Sequence, residues 1–205
     1  MRLQFLTALA FFLVALTLFS NLSSVYSVIK IPIRIATLLI MLLPIYIVMY
    51  KNTPSIKAIL FQKPFTIKMF FQAIFIAFLM SLLASLIHYF TYTGEFITFA
   101  HSLHYKEYLP LYLTFGYFIE AFLQAVILVL IYEGLILFVM DEKKSFILVI
   151  LSFGLAHFYF GIFITIITFF TAFLFLTIYK KFRNVLALSF VHYLVGIVST
   201  AFGWT

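Results

Sequence analysis

The chain reads as an all-α, polytopic transmembrane helical bundle of about seven spans, and three observations carry that reading. Its 205 residues are 66% hydrophobic and 9% charged, with a mean hydropathy of +1.22; soluble domains run at roughly 45–50% apolar and 25% charged. Apolar stretches close to the ~20 residues that cross a hydrocarbon core recur from one end to the other. Strand-like alternation is absent, so helices, which satisfy their own backbone polar groups, are the natural spanning form.

Taken in order, the qualifying stretches lie at roughly 3–20, 33–50, 66–90, 110–140, 146–160, 162–179 and 185–204. The first follows Met1-Arg2 and has the length of a signal sequence, but no small-x-small cleavage site precedes Asn21, so it is expected to stay as an uncleaved span. Pro44 is expected to kink the second. The fifth is short, with its boundary to the sixth placed at Phe160-Gly161. Gly154, Gly161 and Gly196 mark places where helices can approach closely, and Ser152, Thr168 and Thr171 offer hydrogen bonds between helices. No internal repeat or low-complexity tract is present. The polar stretch Thr91 to Pro110 divides an N-terminal three-span region, 1–109, from a four-span core, 110–205.

The net charge is +7, from 13 Lys+Arg against 6 Asp+Glu. No four basic residues run together and the aromatics sit inside apolar segments, which argues against nucleic-acid binding. The charge is better read as topology. Ten of the basic residues fall in connections on one side, against Lys30, Arg34 and Lys106 on the other, which predicts an N-terminus in the cytoplasm and a C-terminus outside. Trp204 then lies at the outer interface. Cysteine is absent, so disulfides and thiolate metal sites are excluded.

Ionisable side chains at membrane depth are costly and point to function. Glu120, Glu133, His157 and His192 stand out. With a rise of ~1.5 Å per residue from the cytoplasmic ends, Glu133 lies about 9 Å in, His157 about 18 Å and His192 about 12 Å, whereas Glu120 lies near 29 Å, at the far surface of the core. Three groups therefore share a layer. A carboxylate that takes a proton from water, with imidazoles that position the water or stabilise an oxyanion, suits peptide hydrolysis. The plainer alternative is that each histidine bonds across helices and that Glu133 is neutral or paired with one of them. His101 and His104, flanked by Glu95 and Glu107, read as a solvated loop rather than a ligand set.

Two segments carry a resemblance. Phe153-Gly154-Leu155-Ala156-His157 has the form Phe-x-x-x-His, and Tyr179 to His192 places a second histidine on a helix after a basic turn. Both are similar to the second and third motifs of the CPBP family, the CAAX-protease and bacteriocin-processing intramembrane proteins, over residues 110–205. The resemblance implies a glutamate-dependent endopeptidase with a Glu-Glu-x-x-x-Arg first motif, two histidines, and an Asn four residues after the second. It also implies a bacterial cytoplasmic membrane and a membrane-associated peptide or protein as substrate or partner. The chain departs from the pattern twice. Tyr132-Glu133-Gly134 stands where Phe-Arg-Gly closes the first motif, so the paired glutamates fall on Leu128 and Val129, and Gly196 replaces the Asn.

Glu133, one turn from the second lost glutamate position, is therefore the expected base, with His157 as its partner and His192 orienting water or stabilising an oxyanion. Two His and one Glu would satisfy a zinc site with an open position as well as a metal-free one. The competing reading is a member that has lost hydrolysis and acts by binding, as an interaction, regulatory or bacteriocin-immunity protein. A proton-relaying transporter is a third, with a sparse polar lining against it.

Overall fold

The computed structural model describes residues 1–23, 30–91, 115–155, 158 and 162–201, and among them every named element is a helix. These are α1 (Arg2–Ser23), α2 (Lys30–Asn52), α3 (Ile56–Leu60), α4 (Ile67–Thr91), α5 (Tyr117–Phe138), α6 (Glu142–Leu155), α7 (Ile162–Phe182) and α8 (Val185–Ala201). The all-α expectation therefore holds. Three helical stretches, Ile35–Asn52, Tyr117–Phe138 and Thr165–Phe182, are long and apolar enough to cross a membrane, and Arg2–Ala15, Ile67–Leu83 and Val185–Ile197 are shorter apolar pieces. Pro44 lies inside α2, which continues past it as one helix.

Helix α5 is the axis of the bundle. It packs against α1, α2, α3, α6 and α8, and from Val126 to Leu135 every residue is buried. A helix apolar all round belongs in the middle of a large core or a membrane bundle. The other helices cover it with one face only. On α4, Ala73, Ala77 and Ser81 are buried at a four-residue spacing, and α8 is the helix this face meets. Small side chains on one stripe let two backbones approach closely. The opposite stripe of α4, Ile67, Phe71, Phe75 and Phe78, is exposed, as are Leu39, Ile40, Leu43 and Ile47 on α2. Exposed apolar faces this long, on helices of bilayer length, are the surface a lipid solvent requires.

Lys and Arg gather at one end of this bundle. Phe5 near the start of α1 and Met49 near the end of α2 both meet Gly134 near the end of α5, so these three termini lie together. At the same end the short α3, capped by the Ser55 hydroxyl accepting from the Ala58 N–H at 3.2 Å, buries Ile56 and Leu60. The α7–α8 corner joins it. The Lys63 N–H donates to the Arg183 carbonyl at 3.1 Å, and the Asn184 amide donates to the Lys63 carbonyl at 2.8 Å.

The hydroxyls of Thr168 and Thr171, expected to bond between helices, donate to the carbonyls of Thr165 and Ile167 on their own helix, because a threonine in a helix finds the preceding turn within reach. Gly154 and Gly196, in contrast, are close-approach points as expected, met by the rings of Phe169 and Tyr117.

At Gly134 a side chain would run into the ring of the fully buried Phe5. Gly134→Val is expected to lower stability by about 1–3 kcal/mol, the usual cost of overpacking. Thermal unfolding in detergent measures this, and adding Phe5→Ala should restore part of the loss.

Candidate functional site

Asn184 organises the α7–α8 corner from which the site is built. Its side-chain oxygen accepts from the Leu186 and Ala187 N–H groups at 2.9 and 3.4 Å, an N-cap for α8. Its amide holds Lys63, so one side chain both starts a helix and ties it to the α3–α4 connection. Arg183, just before it, ends α7 with φ of 50°. A non-glycine residue pays a steric cost of about 1–2 kcal/mol in this left-handed region. The fold keeps an arginine there because its side chain has work that glycine cannot do.

That work is pairing with Glu133. The guanidinium Nη1 lies 3.0 Å from the Glu133 Oε1, and the two side chains are 28% and 11% exposed. The Tyr179 ring lies under the guanidinium, 5.8 Å from centroid to Cζ. The Tyr179 hydroxyl donates to the Ile59 carbonyl at 3.0 Å, and the Gln62 amide donates to that hydroxyl at 3.4 Å. A second network lies beside the first. Tyr132 donates to Glu142 at 3.0 Å, and Lys180 sits 2.8 Å from the same carboxylate oxygen. These contacts with a base and a hydroxyl hold Glu142 below the ordinary carboxylate range.

The predicted trio is thus distributed as follows. Glu133 is engaged by Arg183 at the basic end of α5. His192 sits two turns into α8, its ring 4.7 Å from that of Phe175 and 6.4 Å from that of Tyr117. His157 lies outside the described residues, as do His101, His104 and Trp204. Among the described residues no three of His, Cys, Asp and Glu gather as a metal ligand set.

Glu120 is the residue that depth counting set aside. It is 0% exposed. Tyr117, one turn earlier on α5, meets the rings of both His192 and Tyr193, the latter at 6.2 Å, and its ring abuts Gly196. Three residues advance a helix by about 4.5 Å, and helical side chains lean back toward the N-terminus. Glu120 thus lies one turn from the residue whose ring meets His192, and Glu133 lies at the level of Arg183. No family model, curated protein or solved structure matches the chain. What the site can do rests on its own chemistry.

That chemistry differs at the two levels. At the basic end the carboxylates are already matched by a guanidinium and an ammonium, an arrangement that fastens helices together. Toward the other end of α5 a buried carboxylate, Glu120, lies one turn from a tyrosine whose ring meets an imidazole. A carboxylate and an imidazole within reach of each other can accept, hold and return a proton.

The Arg183 pair was missed because Arg183 counted only as a topological charge. Two signals pointed to it: Asn184 before an apolar run reads as a helix N-cap, and a carboxylate one to two turns inside a span is within reach of an arginine snorkelling from a neighbouring end.

Arg183→Ala leaves a mostly buried carboxylate without its cation and should destabilise by about 2–4 kcal/mol, more than Glu133→Gln, with the double variant recovering part of the loss. A double-mutant cycle in thermal unfolding reads this out. The Glu142 pair carries a pH signature. Because its folded-state value is depressed, its stabilisation is present above the unfolded carboxylate value and is lost as pH falls through the lower folded one. Glu142→Gln should therefore cost less than about 1 kcal/mol at pH 7, as expected of a half-exposed pair, and nothing at pH 2.

Proposed function

We propose that this chain is a seven-span membrane protein of the CPBP type, its basic end in the cytoplasm, that hydrolyses a peptide bond in a membrane-associated substrate. The proposed base is Glu120. The observation that carries this is the complete burial of Glu120, one turn from Tyr117 whose ring meets His192, on a helix of bilayer-spanning length. A carboxylate at membrane depth is expensive to keep, so it stands there for its chemistry. In this scheme Glu120 takes a proton from water and His192 orients the water or steadies the oxyanion. His157, from the Phe-x-x-x-His motif, is the third group. Glu133, bonded to Arg183, serves the scaffold.

The seven expected stretches overlap α1, α2, α4, α5, α6, α7 and α8 in order, which supports the seven-span reading. The gathering of the basic connections at one end supports a cytoplasmic location for that end. The resemblance supports a bacterial membrane.

One observation favours a second reading, a member that binds without cleaving. Gly196, at the position of the family's Asn, is packed by the Tyr117 ring, so no side chain fits where the oxyanion-assisting amide would stand. The two readings part on one experiment. Full-length Glu120→Gln, His192→Ala and Glu133→Gln variants are assayed in membranes with a lipid-anchored reporter peptide. Hydrolysis predicts a loss of at least about 100-fold for Glu120→Gln at unchanged protein level, with Glu133→Gln retaining turnover in proportion to folded protein. No cleavage by the unmodified chain, or equal cleavage by the Glu120→Gln variant, overturns the hydrolytic reading.

A further inference from the structure

The three acids at the basic end are each taken up by a base: Glu133 by Arg183, Asp141 by Lys144 and Glu142 by Lys180. Six lysines are left over. Lys51, Lys57, Lys63, Lys68, Lys143 and Lys181 are all exposed, and none has an acidic partner among the described residues. Two of them, Lys57 and Lys63, lie in the α2–α4 connection and two more, Lys51 and Lys68, on the helix ends that flank it, and the Lys63, Arg183 and Asn184 bonds hold this connection against the α7–α8 corner.

We propose that this end of the bundle, centred on the α2–α4 connection, binds the headgroups of anionic phospholipids. The proposal rests on the reading that the chain spans a membrane. Charge complementarity selects an anionic occupant, since the local acids are spent and the surplus is uniformly positive. The arrangement selects a lipid. The lysines are exposed point charges spread along the chain from the end of α2 to the start of α4, as a headgroup layer rather than a single small anion would use them. Beside them exposed apolar side chains also stand: Tyr50 precedes Lys51, Ile67 precedes Lys68, and Phe71 follows one turn later. A partner that offers both an acid group and a hydrocarbon tail satisfies both rows at once. Neither a free phosphate nor an acidic soluble protein does.

Helix α3 gives the surface its orientation. Ile56 and Leu60 face the bundle while Lys57 is exposed, and the Tyr179 hydroxyl holds the Ile59 carbonyl. The lysines of this connection are therefore carried on a backbone fixed at both flanks, and charge changes on their tips leave its bonds intact.

The test uses the full-length chain in vesicles of phosphatidylcholine alone and of phosphatidylcholine with about one-third phosphatidylglycerol, followed by detergent extraction and native mass spectrometry of retained lipid. Expected is a preference of at least about fivefold for phosphatidylglycerol, reduced severalfold in Lys57→Glu with Lys63→Glu, preserved in Lys57→Arg with Lys63→Arg, and weakened by salt. Equal retention of the two lipids, or an unchanged preference in the charge-reversed variant, overturns the proposal. So does a thermal shift from inorganic phosphate or an acidic peptide that matches the one from phosphatidylglycerol. Failure of the chain to float with either vesicle rejects the membrane reading. Flotation with both, without preference, rejects the lipid surface alone.

Discussion

Helix α5 is enclosed by five other helices, and this enclosure governs what its side chains can be. A carboxylate placed there loses most of its water, so it must be matched by a counter-charge or kept for chemistry. The chain resolves its two cases differently. Glu133, near the end, is met by an arginine brought from the α7–α8 corner. Glu120, in the first turn of the helix, is fully buried one turn from Tyr117, whose ring meets that of His192. One helix therefore carries a fastening at its basic end and the most reactive-looking environment further along.

The fastening explains features that look unrelated in isolation. Arg183 has an unfavourable backbone conformation, and Asn184 is a buried polar side chain, yet both sit where their bonds reach across the bundle. The corner they make joins the last hairpin to the α3–α4 connection and to α5 together. Tyr179 extends the same joint to Ile59. Polar groups thus cluster where helices meet near water, while the faces of α2 and α4 that look outward remain apolar.

The helices were legible because composition and span length leave few alternatives. The stretches near 33–50, 66–90 and 185–204 correspond to α2, α4 and α8 within a few residues. The short α3 was not legible, since five residues carry no periodicity and only Ser55 marks its start. The site was harder. Depth was counted from the cytoplasmic ends as though every helix stood upright, and this put Glu120 at the far surface. Tyr117, one turn before Glu120, has its ring 6.4 Å from that of His192, a contact between helices that upright counting does not take in. Packing angle and vertical offset between helices are tertiary quantities, and a single sequence records them only weakly. Likewise the pairing of Glu133 with Arg183 joins residues fifty positions apart, which no local pattern reports.

The bonds between residues 59–63 and residues 179–184 also bear on how the molecule is made. A chain that emerges from its N-terminus has α3 and the following connection in place well before the last hairpin exists. Until then the Lys63 carbonyl lacks the Asn184 amide, and the Ile59 carbonyl has the nearby Gln62 amide at 3.5 Å but not the Tyr179 hydroxyl. Arrival of the α7–α8 corner satisfies both in one event and supplies the cation that Glu133 lacks. Closure of the final hairpin thereby fastens the helices already made to the α3–α4 connection and to α5.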